Sequence, residues 1–159
     1  MTGKPSSGRR AVARTSARLG AVQALYQMEL AETGVSDVLA EYASSRQGNA
    51  FEDGQHGEAD KTFLEDIVQG VVAHQRDIDR AVADCLSAGW TLARLDATLR
   101  AILRSAGYEL AYRADIPGRV VLTEYVELTR AFFDDTESAF VNGALDALAH
   151  KCRPDEFAG

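Results

Sequence analysis

Residues 61–86 read KTFLEDIVQGVVAHQRDIDRAVADCL. Within them Phe63, Leu64, Ile67, Val68, Val71, Ile78, Val82 and Leu86 recur at three- and four-residue spacings, the period of one helix face. Strand alternation is absent and no proline interrupts the run. The pattern predicts a helix to about Leu86, opened by Asp60 as a cap, bent near His74 and ended by Gly89.

The same period extends outward on both sides. A helix is expected from Arg9 or Arg10 to about Thr33, with Leu19, Val22, Tyr26 and Leu30 on one apolar face and Gly34 ending it. Arg10, Arg14 and Arg18 form a second stripe, shared further along with Leu25 and Met28. The expectation is that the later half of this helix is buried nearly all round and that its first half projects with the arginines in solvent. Ser36 can cap a short helix through about Ser45 carrying Val38, Leu39 and Tyr42. Residues 46–59, polar and Gly-rich, read as a surface loop containing His56.

Beyond Trp90 a helix is predicted from about Leu95 to Arg113, with Leu99, Ile102, Leu103 and Leu110 inward. Pro117 suits the first turn of the next, whose stripe is Val120, Val121, Tyr125, Leu128 and Phe132. Asp134, Asp135 or Thr136 caps a last helix with Phe140, Val141, Leu145 and Leu148 inward, and Pro154 marks its end. The fold class is all-α, a single compact bundle of about six or seven helices. Residues 1–8 read as a flexible tail, 9–153 as one helical domain and 154–159 as a C-terminal tail.

The chain has 159 residues, 46% apolar and 26% charged, as in an ordinary globular domain that buries roughly 70% of its unfolded surface. No apolar run approaches the ~20 residues that span a bilayer. Cys85 and Cys152 stand far apart in sequence with no metal-ligand spacing, which fits a reducing, cytoplasmic location. The acid-free, Arg- and Ser-rich start shares features of a mitochondrial transit peptide, but it runs without a break into a structural helix.

Net charge is −7, unevenly distributed. Lys4, Arg9, Arg10, Arg14 and Arg18 lie among residues 1–18, and all 24 acids lie beyond them. A basic arm on an acidic body favours phosphates locally. Arginine suits this role because its planar fork pairs with phosphate oxygens and stacks on bases. Single-stranded RNA also asks for an aromatic platform, and Tyr26 is two turns beyond Arg18. Arg94, Arg100 and Arg104 form a second basic group. A solvated helix start that only aids solubility is the competing reading of the arm.

Catalytic patterns are missing. There is no GxSxG, phosphate-binding glycine loop or HExxH, and His56, His74 and His150 stand isolated. Capping explains Asp134-Asp135 better than a metal or acid–base pair, and Trp90 fits a helix junction better than a base platform. No enzyme activity, metal or cofactor is expected.

Four segments in order carry a resemblance: Ala21-Val-Gln-Ala-Leu-Tyr26; Leu103-Arg-Ser-Ala-Gly-Tyr-Glu-Leu110 followed by Asp115-Ile-Pro117; Glu124-x-x-Glu127-Leu128; and Phe140-Val-Asn-Gly-Ala-Leu-Asp146. Together they resemble the NusB family over about residues 10–153. The resemblance implies two packed helical subdomains. It also implies a transcription antitermination factor that binds boxA-type single-stranded RNA with NusE, a small-subunit ribosomal protein, in the RNA polymerase antitermination complex. The outcome is processive transcription and maturation of ribosomal RNA.

By the same resemblance Arg10, Arg14, Arg18, Tyr26 and Arg104 are RNA-binding candidates, and Arg104, Glu109 and Glu127 are candidates for contacting NusE. Asn142 is expected to make a structural hydrogen bond beside Gly143, where helices approach closely. The resemblance leaves a homodimer open. It also leaves two alternatives, the NusB-like domain of a ribosomal RNA cytosine methyltransferase and a purely protein-interacting bundle. One departure stands out. Relatives often carry lysine just before FVNG, where this chain has Ala139 in an acidic stretch, so greater reliance on the N-terminal arm and on NusE is expected.

Overall fold

The computed structural model describes residues 7–41 and 60–157. The expected loop 46–59 with His56, Tyr42 and the end of its helix, and most of the 1–8 tail lie outside these residues. All regular structure in the described residues is helical: α1 (Ser7–Ala31), α2 (Val35–Glu41), α3 (Lys61–Ala83), a 3₁₀ turn (Leu92–Arg94), α4 (Ala97–Tyr112), α5 (Gly118–Phe132), α6 (Asp135–Cys152) and α7 (Pro154–Phe157). The chain divides into two units, one up to Gln69 and one from Gly70 onward.

In the first unit α1 buries only Val22 of the four residues expected to face inward. Leu19, Tyr26 and Leu30 are exposed, together with Val12, whereas Ala17, Arg18, Ala21, Val22, Ala24 and Leu25 are buried. The arginine stripe therefore runs into the core. Three alanines on the inward face allow close approach, and Phe63 supplies a ring on which cations can lie. Burial is greatest mid-helix, and Leu30 in the last turn is 59% exposed.

The end of α1 also differs from expectation. Glu32 takes the left-handed conformation, φ 53°, and Gly34 instead opens α2 by accepting from the Val38 amide. Asp60 starts α3 as expected, with its carboxylate taking the Phe63 N–H at 2.9 Å. The Asp60 amide donates to the Ala13 carbonyl at 3.1 Å, so the start of α3 is pinned to α1.

In the second unit α3 bends where expected, with His74 at φ −116°, ψ 18°. The His74 ring stacks on Tyr112 at 4.1 Å, and Tyr112 stacks on Tyr108 at 5.6 Å. Gly70 lies so close to Tyr108 that a Cβ there would fall 2.1 Å from its ring. Asp96 caps α4 through the Thr98 amide at 2.8 Å. Pro117 occupies the cap of α5 rather than its first turn, and Asp134 is the cap of α6.

Val121, Tyr125 and Leu128 of α5, and Val141, Leu145 and Leu148 of α6, face inward, but Val120 and Phe132 are exposed. Pro154 does not end the ordered chain. It opens α7, whose Glu156 carboxylate takes the Gly118 N–H at 2.8 Å. The Arg153 guanidinium reaches the carbonyls of Leu110 (2.8 Å), Ile116 (2.9 Å), Arg113 (2.8 Å) and Glu109 (3.2 Å). It thereby satisfies the Leu110 carbonyl at the end of α4 and ties the end of α6 to the turn that follows α4, where the Glu109 and Arg113 carbonyls also accept backbone amides.

Candidate nucleic-acid interface

The start of α1 holds the first cluster. Arg10 is exposed and Arg14 half-buried. The guanidinium carbon of Arg14 lies 4.7 Å from the Phe63 ring centroid and that of Arg18 5.0 Å. An aromatic ring attracts cations at its face, which offsets part of the repulsion between two arginines sharing it. Arg18 is only 3% exposed, which corrects the expectation that it stands in solvent. Alone among these fork atoms, the Arg14 Nε is buried with no hydrogen-bond acceptor among the described residues.

Tyr26 remains available at the surface, 39% exposed on the outer stripe with Val12, Leu19 and Leu30. Sequence reading placed Phe63 only in the core. Its role as a platform for the arginines depends on a contact between distant residues, which no local period reveals.

In the second unit the supposed basic group is dispersed. Arg94 lies over Trp90 at 5.2 Å and donates to the Gly89 carbonyl. Arg100 donates to the carbonyls of Leu92 (3.0 Å), Ala93 (3.4 Å) and Leu95, holding the 3₁₀ turn closed. Arg104 forms a bidentate pair with Asp79, at 2.8 and 3.0 Å. Its fork ties α3 to α4 rather than facing outward. Trp90 sits at a junction as expected, but it is 45% exposed and tilted against Phe140 at 5.9 Å.

The partner candidates separate in the same way. Glu109 is fully buried and accepts from the Tyr125 hydroxyl, which corrects its assignment to a docking surface. It faces inward because it shares the α4 stripe with Ile102 and Ala106. Glu127 is exposed, pairs with Arg130, and lines an open groove of about 600 Å³ between α5, α6 and α7. Asn142 lines this groove too. No neighbour lies within 4 Å of a Cβ built on Gly143, so the expected close approach there is corrected.

Among the described residues no group of three metal-ligating side chains occurs, and no helix is long and apolar enough to cross a membrane.

The sequence model of the NusB family matches residues 15–150. A transcription antitermination protein NusB from Caulobacter vibrioides is 49% identical over 147 residues, covering 92% of this chain and 99% of that protein. The fold is similar to T. maritima NusB, with a TM-score of 0.74 and 26% identity over 98% of this chain and 99% of that one. It is similar also to a solved complex of the antitermination factors NusB and NusE with double-stranded RNA. There the TM-score is 0.71 and the identity 24%, over 92% of this chain and 99% of the matched one, a likeness of fold alone. The family match and the near full-length relatives agree with the four sequence segments, and the chain belongs to the NusB family.

Proposed function

We propose that this chain is a non-catalytic antitermination factor that holds boxA-type single-stranded RNA with the start of α1 and works together with NusE. The observation that carries the RNA reading is Arg14, a half-buried arginine one turn beyond exposed Arg10 whose charge lies on the Phe63 ring. Exposed Arg10 one turn earlier adds charge, and Tyr26 offers a ring for an unstacked base. Family membership supports the same reading, because its relatives carry the antitermination name and one solved NusB is bound to NusE and RNA.

In this reading Arg10 and Arg14 neutralise phosphates, Arg18 supports Arg14 through their shared ring, and Arg104 positions Asp79. NusE contacts would involve the rim of the α5–α6 groove at Glu127. Assembly, not bond chemistry, is the outcome, with RNA polymerase on ribosomal RNA operons as the setting. The methyltransferase alternative is disfavoured because the relatives at 44–50% identity carry the antitermination protein name.

The test is titration of a fluorescent boxA-like RNA with and without NusE. Weak binding alone that tightens at least tenfold with NusE is expected from a coupling free energy of about 1.4 kcal/mol or more. A chain that binds NusE but no RNA under either condition would support the purely protein-interacting alternative.

A further inference from the structure

The RNA reading leaves both cysteines unused, and the structure brings them close together in the second unit. Cys152 is the last residue of α6 and lines a cavity of about 30 Å³ with Asp77, Ile78 and Ala81 of α3. Cys85 follows Ala81 by four residues. Helical winding continues beyond the end of α3, since the Asp84 amide donates to the Arg80 carbonyl at 3.2 Å and the Cys85 amide to Val82 at 2.9 Å. Asp77 and Ala81 share one stripe of α3, and Cys85 lies in the tightened turn that follows the helix directly. The neighbours of the two cysteines are also joined, Lys151 Nζ to Asp84 Oδ2 at 3.0 Å.

We propose that Cys85 and Cys152 are an intramolecular dithiol that a low-molecular-weight disulfide such as oxidised glutathione converts to a protein disulfide, fastening the end of α3 to the end of α6. Both thiols are reduced and partly accessible in this structure. Burial pushes both thiol pKa values up, and the nearby Cys85 adds to the rise at Cys152. The thiols are mostly protonated near neutrality, so the reaction is slow there. One thiolate attacks glutathione disulfide, forming a mixed disulfide and releasing one glutathione thiolate. The second protein thiolate then attacks the protein sulfur of that mixed disulfide and displaces the second glutathione. In balance, two protein thiols and one glutathione disulfide give one protein disulfide and two glutathione thiols. The bridge closes a loop holding α4, α5 and nearly all of α6. Its formation requires Cα atoms within about 7 Å.

The test incubates the full chain with oxidised glutathione, followed by denaturing intact-mass measurement, a non-reducing gel and peptide mapping. The expected result is a monomer that has lost two hydrogens, retains no glutathione, and yields one linked peptide joining Cys85 to Cys152. Cys85→Ser and Cys152→Ser, each first shown to keep wild-type helicity, should instead retain a single glutathione adduct. Wild-type chain with stable adducts at either cysteine, with both thiols untouched, or linked into dimers would overturn the proposal.

Discussion

The guanidinium of Arg14 lies 4.7 Å from the centroid of the Phe63 ring, and Arg18 reaches the same ring from one turn further along α1. Among the described residues a basic helix tip is thus held by an aromatic side chain. Fixing the fork before RNA arrives lowers the side-chain ordering cost of binding. Phe63→Leu keeps an apolar side chain and every charge but removes the ring. RNA affinity is expected to fall about two- to thirtyfold, from a cation–π contribution of about 0.5–2 kcal/mol, with circular dichroism unchanged. An affinity equal to wild type would remove Phe63 from the account.

Gly70 faces the Tyr108 ring, and Tyr108 is buried and stacked on Tyr112. The ring has little freedom to yield. Gly70→Ala should destabilise the protein by about 1–3 kcal/mol, the range for overpacking, although alanine is the better helix former. Urea unfolding measures the loss, and a gain in stability would show that the approach is looser than described.

Arg153 closes the end of α4 through four backbone carbonyls with little of its side chain exposed. Arg153→Ala is expected to cost about 1–3 kcal/mol, since it leaves the part-buried Leu110 and Ile116 carbonyls without the guanidinium's N–H groups. Arg153→Lys should restore only a minor part, because one ammonium cannot reach acceptors spread across a planar fork. Thermal melts of the three proteins compare these directly.

The Gly118 N–H, with Arg153 beside it, holds the Glu156 carboxyl below its usual value of 4.5. A depressed carboxylate pKa contributes stability that is fully present above the unfolded value and lost as pH falls through the folded one. Acid unfolding of Glu156→Gln should therefore be less steep than wild type below pH 4.5, while the two proteins respond alike to changes between pH 6 and 8. Parallel acid curves would mean that α7 does not hold its place through this carboxylate.

Much of the fold was legible because helical period reports on geometry that is local. The bend at His74, the cap at Asp60, and the inward faces of α4 and α6 are set by neighbours within one or two turns. The orientation of α1 was not legible. Its two stripes, Leu19-Tyr26-Leu30 and Arg14-Arg18-Leu25, both carry apolar residues, and the choice between them rests on Phe63, which is remote in sequence. Gly34 misled because glycine suits the end of one helix and the start of the next equally well. The family segments located Glu109 and Arg104 but not their surroundings, a buried tyrosine hydroxyl and an aspartate fork.

The most direct measurement is the salt dependence of boxA-like RNA binding for wild type and for Arg10→Ala/Arg14→Ala. Single strands give a log-log slope of about −0.7 per phosphate neutralised, so the contacts of Arg10 and Arg14 predict a slope of about −1.4 for wild type. The variant should bind more weakly at low salt with a slope shallower by about 1.4, while its helicity and NusE binding are unchanged. Superimposable lines for the two proteins would contradict the claim that the start of α1 holds the RNA backbone.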